Sequence, residues 1–178
     1  MSRIACNALM PIALLTLLGG CGLVQSVTDA TTSTTEAIFY KQVKTLHLDL
    51  SARTVMNTDA TDMRALSVPT LVRIYQLRDS KSLHKATYDQ ILSDSDNVLG
   101  ADLLDEHSQV VKPGEGVQLN VPLHKDTQFV AAVALFREPD DSADNWRLML
   151  TRDELDPDQP RVIELGDNRL TLRAQAKE

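Results

Sequence analysis

Cysteine is nearly absent from this chain: there are two, Cys6 and Cys21, both close to its beginning. No thiol occurs further along, so the bulk of the sequence has no disulfide and must rely on an apolar core. The 43% hydrophobic content is enough for one at this length. Aromatic residues make up only 4%, with Trp146 the single tryptophan, which argues against an aromatic platform for glycans. Positive charge is also scarce. Against 25 Asp and Glu there are 18 Lys and Arg and no basic stripe, which argues against nucleic acid and against electrostatic adhesion to anionic lipid.

Motifs for chemistry are missing as well. There is no G-x-S-x-G elbow and no H-E-x-x-H. The four histidines, His47, His84, His107 and His124, fall on separate segments without ligand spacing, and each reads as a solvated polar-face residue. The acidic run Asp140-Asp141-Ser142-Ala143-Asp144-Asn145 begins like a calcium loop. Such a loop needs glycine at its sixth position and glutamate at its twelfth, where Asn145 and Thr151 stand. A solvated turn is the better reading, and Asp94-Ser95-Asp96-Asn97 is similarly a turn or helix cap. No metal site, cofactor or enzymatic activity is expected.

What the sequence does have begins at its start. Arg3 precedes an apolar stretch from about Ala8 to Leu18, too short to cross a bilayer as a helix and flanked like a cleavable export signal. It runs into Leu18-Gly19-Gly20-Cys21, the order of a bacterial lipobox. Cleavage before Cys21 removes residues 1–20 and leaves a mature chain that starts on a cysteine carrying diacylglycerol and an N-acyl chain. Each buried methylene contributes about 0.8 kcal/mol, so several acyl chains anchor firmly where one would hold reversibly. Gly22 follows the cysteine where an inner-membrane retention signal would place Asp, so the outer membrane, on its periplasmic face, is the expected destination.

Residues 21–40 are small and polar around Thr31-Thr32-Ser33-Thr34-Thr35 and read as a lipidated cysteine followed by a flexible spacer. Fully extended, its reach is roughly 60–65 Å. Ile38-Phe39-Tyr40 marks the approach to a folded domain over residues 41–178.

Within that domain Leu46, Leu48 and Leu50 alternate with His47, Asp49 and Ser51, a half-buried strand. A polar connection over residues 53–67 follows, longer than the 2–5 residues usual for a hairpin loop. Pro69 opens a second strand to Leu77. A helix is expected from Ser82 to Leu92, capped by Asp79 or Ser80, with Leu83, Thr87 and Ile91 on one stripe. A further helical turn runs to Leu99, with Gly100 as its stop. After it come strand candidates at residues 103–111, 117–123, 129–136, 147–150 and 162–165, then Leu170 with Leu172. Lys112-Pro113-Gly114-Glu115 and Gly166-Asp167-Asn168 form turns. About eight strands and one small helical insertion predict a mainly β protein, an antiparallel β-sandwich.

Several phrases carry a family likeness in the same order. Val68-Pro69-Thr70-Leu71-Val72-Arg73-Ile74-Tyr75-Gln76-Leu77 is similar to a second-strand phrase. Leu99-Gly100-Ala101-Asp102-Leu103-Leu104 is similar to a post-helical segment, and Lys112-Pro113-Gly114-Glu115 to a turn. Phe136-Arg137-Glu138 with Asn145-Trp146-Arg147 is similar to a late strand pair. Together they resemble the TssJ (SciN) lipoproteins of the bacterial type VI secretion system, over about Val43 to Leu172.

The resemblance implies a transthyretin-like sandwich at the outer membrane that binds the periplasmic C-terminal domain of TssM, and through it TssL. It also implies that the loop between the first two strands is the contact element, giving Asn57, Thr58, Asp59, Asp62, Met63 and Arg64 as candidate partner-binding residues. Two alternatives stay open. One is a lipoprotein module binding a small ligand or glycan in a concave, aromatic-lined pocket. The other is an envelope hydrolase with clustered His and acidic groups.

Overall fold

A computed structural model describes residues 43–59, 61, 66–140 and 142–175. The signal peptide, Cys21, the spacer, Asp62, Met63 and Arg64 lie outside the described residues.

Strand β1 (Thr45–Ala52) buries Leu46, Leu48 and Leu50 and turns His47 and Asp49 outward, as the alternation predicts. The other strands are β2 (Thr70–Leu77), β3 (Leu103–Val111), β4 (Gly116–Pro122), β5 (Phe129–Ala134), β6 (Arg147–Thr151), β7 (Arg161–Gly166) and β8 (Arg169–Leu172). They form two four-stranded sheets, β4-β1-β7-β8 and β3-β2-β5-β6, packed through one apolar core.

The expected all-antiparallel pairing fails at one place: β1 and β7 run parallel, with Leu48 opposite Arg161 and Leu50 opposite Ile163. These strands are far apart in sequence, so no tight hairpin forces them antiparallel. The same distance hides the pairing from local sequence patterns.

The helical insertion also differs from expectation. In place of one helix over residues 82–92 there are two, α1 (Lys81–Lys85) and α2 (Tyr88–Leu99). Thr87 is not on a buried stripe. It is the N-cap of α2, its hydroxyl accepting from the Gln90 amide while the Gln90 side chain accepts from the Thr87 amide. That T-x-x-Q capping box restarts the helix and satisfies amides that would otherwise be orphaned. α2 bends at Asp94, whose carboxylate accepts from the amide and side chain of Asn97, and ends at Gly100 with φ +52°. The stop expected at Gly100 is found; at the start of α1 Asp79 Oδ1 accepts from the Lys81 amide, whereas Ser80 makes no side-chain cap.

Two arginines on the sheet hold this insertion by its carbonyls. Arg73 Nη1 donates to the Ile91 carbonyl (3.1 Å), next to the bend. Arg147 donates to the carbonyls of Leu83, His84 and Ala86, at the end of α1, where helix carbonyls lack intrahelical partners. The helices thereby cover the outer face of β3-β2-β5-β6. This is why β5 reads as an unbroken apolar run: Val130 to Ala134 are buried on both faces.

Strand directions sort the connections to the two ends of the sandwich. The chain enters at Val43 at one end, together with the β4–β5 and β6–β7 connections. At the opposite end lie the β1–β2, β3–β4, β5–β6 and β7–β8 connections. An eight-residue strand separates the two ends by about 25 Å.

Candidate functional site

The long β1–β2 connection, residues 53–69, dominates the end away from Val43, and its first limb is pinned residue by residue. The Arg53 amide donates to the Leu165 carbonyl (2.8 Å) and the Gly114 amide to the Arg53 carbonyl (3.1 Å), so β7 and the β3–β4 turn flank the loop's start. Met56 is fully buried and anchors the limb in the core. Its amide donates to the Ser67 hydroxyl (3.3 Å), which ties the outgoing limb to the returning one.

Asn57 is 2% exposed and holds φ +48°, a left-handed conformation that asparagine tolerates better than most residues. Its Nδ2 donates to the Pro69 carbonyl (3.2 Å) and its Oδ1 accepts from the Arg137 amide (2.7 Å). Both ends of this side chain are engaged within the domain. Asn57 is a strut that sets the loop's course.

Thr58 contributes main chain. Its amide donates to Asn168 Oδ1 (2.9 Å), and its carbonyl accepts from Asn168 Nδ2 (2.8 Å). Asp59 forms an Asx turn, Oδ1 accepting from the Thr61 hydroxyl (2.5 Å) and amide (2.8 Å), while Oδ2 pairs with Arg137 at 2.8 Å. The Thr61 hydroxyl and then its amide hold the Asp59 carboxyl below the ordinary carboxylate range, with a hydrogen bond to Glu138 and then the Arg137 guanidinium contributing less.

Around this limb lie residues that sequence reasoning had not selected. Val55 (56% exposed) and Leu66 (53% exposed) display apolar side chains. They flank the Met56–Ser67 hydrogen bond, one on each limb. Arg53, mostly exposed, reaches Glu164 (3.3 Å) and Asp167 (4.0 Å). Glu164 is held below its usual pKa by Arg173 first and Arg53 second. In sequence, Arg137 and Asn168 are legible only as members of a strand end and of the Gly166-Asp167-Asn168 turn; nothing local marks their cross-loop bonds.

A separate depression of about 370 Å³ lies beside α1 and α2, lined by Ala86, Thr87, Tyr88, Asp144, Trp146 and Arg147. Its volume suits a small ligand. Its chemistry does not: Trp146 is 1% exposed and meets Tyr88 edge-on at 5.3 Å, with Arg147 stacked on its ring at 4.7 Å. Every nitrogen of that guanidinium is engaged, by Asp144 or by helix carbonyls. The aromatic and polar groups serve the fold. Asp140, at the start of the acidic run, accepts from Ser142 and Ala143 in a surface turn.

A model of the family described as "Type VI secretion lipoprotein, VasD, EvfM, TssJ, VC_A0113" matches residues 44–175. This chain belongs to the type VI secretion lipoprotein family. The match spans the whole sandwich, so the resemblance drawn from short phrases extends over every strand. A search of curated proteins gives no match.

Among solved structures, the chain is 39% identical to one in "Type VI membrane complex", with a TM-score of 0.70, over 75% of this chain and 100% of that one. It is also 39% identical to one in a structure described as "T6SS protein TssM C-terminal domain" from EAEC, with a TM-score of 0.67 and the same coverage. The Serratia marcescens Lip structure, a membrane-bound component of the type VI secretion system, shares the fold at 22% identity and a TM-score of 0.67, over 76% of this chain and all of that one. The family is a lipoprotein component of a secretion system and is not an enzyme class.

Proposed function

We propose that this type VI secretion lipoprotein is held by acyl chains on Cys21 at the periplasmic face of the outer membrane, and that it binds the periplasmic C-terminal domain of TssM. Through TssM it joins TssL, linking the outer membrane to the rest of the membrane complex. One observation carries this reading: chains 39% identical over the whole folded domain occur in structures described as the TssM C-terminal domain and as the type VI membrane complex.

The contact element is the β1–β2 loop, residues 53–69. Its described limbs stand at the end of the domain opposite Val43. Of the residues selected from sequence, Asn57 and Thr58 build the platform, and Asp59 contributes its paired carboxylate. Asp62, Met63 and Arg64, outside the described residues, complete the proposed contact set. Anchoring raises the effective concentration of the two partners, so a modest pairwise affinity sustains the assembly.

The test is binding of the full lipoprotein, in detergent, to the TssM periplasmic domain. Intact protein is compared with one in which residues 57–64 are replaced by a short Gly/Ser link. Saturable binding that disappears on replacement, with Trp146 fluorescence unchanged, is the expected result. Equal binding by both proteins rejects the loop as the contact. No binding by the intact protein rejects the TssM reading.

A further inference from the structure

Asn168 does three things at once. From the β7–β8 turn, at φ +56°, its side chain accepts the Thr58 amide (2.9 Å) and donates to the Thr58 carbonyl (2.8 Å) and the Glu138 carbonyl (3.3 Å). One amide group therefore joins three connections that are remote in sequence: β1–β2, β5–β6 and β7–β8. A reciprocal amide pair of this kind mimics one rung of a sheet and fixes both the position and the direction of the Thr58 peptide plane.

Asn57 and Arg137 reinforce the same junction from the other side. Asn57 Oδ1 takes the Arg137 amide, and the Arg137 guanidinium takes Asp59. The first limb of the long loop is thus ordered by its neighbours and does not depend on its own short-range contacts alone. Loop ordering before binding lowers the entropy cost of association.

We infer that Asn168 is a positioning residue for partner binding, and that the partner-facing surface is a preformed platform built by three loops. This inference rests on the reading that the β1–β2 loop contacts TssM. It adds a residue some 110 positions away in sequence, in a turn with no assigned role.

Asn168→Gly tests it, because glycine accepts the positive φ while removing the side chain. Asn168→Asp keeps the acceptor for the Thr58 amide and loses both donated bonds. Each variant is made in the full lipoprotein. Affinity for the TssM periplasmic domain and hydrogen exchange at the Thr58 amide are read together, with Trp146 fluorescence as the check on folding.

The expected result is faster exchange at Thr58 and about tenfold weaker binding for Asn168→Gly, with Asn168→Asp between it and the parent. His47→Ala, which removes a surface hydrogen bond of 2.6 Å to Asn120 away from these loops, leaves binding unchanged. Parent-like affinity in Asn168→Gly alongside faster Thr58 exchange overturns the inference and leaves the TssM reading intact. Weaker binding with unchanged Thr58 exchange also overturns it, because the side chain would then be a direct contact. Failure of the parent protein to bind rejects the TssM reading itself, and this inference with it.

Discussion

Asn57 illustrates how a polar residue in a functional loop can serve the fold. Truncation to alanine leaves the Arg137 amide and the Pro69 carbonyl without their side-chain partner and places a Cβ-bearing residue without a stabilising side chain at positive φ. Losing partners for buried groups costs about 1–3 kcal/mol, so Asn57→Ala should lower the urea midpoint by a corresponding amount. Asp59 makes a pH prediction. Its folded pKa is depressed, chiefly by Thr61, so its stabilisation is complete above the unfolded carboxylate value of about 3.9 and is lost as pH falls toward the lower folded value. The Thr61 amide resonance should stay constant from neutral pH to about that value and move only below it. A transition near pH 6 would contradict the assignment. The family resemblance names Asn57 and Asp59 as candidates, but their roles differ because one is buried and the other partly exposed. Burial at a loop is decided by what packs over it.

At the scale of elements, the helical insertion depends on arginines from outside itself. Arg147 ends α1 by taking its carbonyls, pairs with Asp144 and lies on Trp146, with only 12% of its side chain exposed. Hydrogen bonds from a charged donor contribute roughly 1.5–3 kcal/mol. Arg147→Met should therefore destabilise the domain by about that much, and lysine should not rescue it because it lacks the planar fork. Trp146, the single tryptophan, reports the event directly: its emission should shift red at lower denaturant in both variants.

The strands were legible because alternation, as in β1, and an unbroken apolar run, as in β5, are both local properties. The break between α1 and α2 was legible in principle, as Thr87-Tyr88-Asp89-Gln90 is a capping box. The apolar spacing of Leu83 and Ile91 suggested one continuous helix. The capping box prevailed because it satisfies amides that a helical stripe does not address. The parallel pairing of β1 with β7 had no local signal at all.

At the scale of the whole molecule, the direction of β1 sets the arrangement. Val43 lies at one end of the sandwich, and the long loop leaves from the other. Replacing Cys21 with serine removes the site of the proposed acylation, and the protein should then move from the outer-membrane fraction to the soluble periplasmic fraction. Retention of Cys21→Ser in the membrane fraction would mean that something other than the lipid holds it. The folded domain should be unaffected, since Cys21 lies outside it, and an unchanged unfolding midpoint checks this.

What the sequence determined by itself is whatever depends on neighbours along the chain. This covers the order of charge, apolar run, small residues and cysteine at the start, the strand periodicities, the turns, and phrases specific enough to indicate the family. What only the tertiary structure decided is how the loops at one end become a surface. The bonds from Asn57 to Arg137 and from Thr58 to Asn168 join residues 80 and 110 positions apart. No local pattern records such a pair, because the partners read as ordinary loop, turn and strand-end residues until the two sheets pack and bring them within hydrogen-bonding distance.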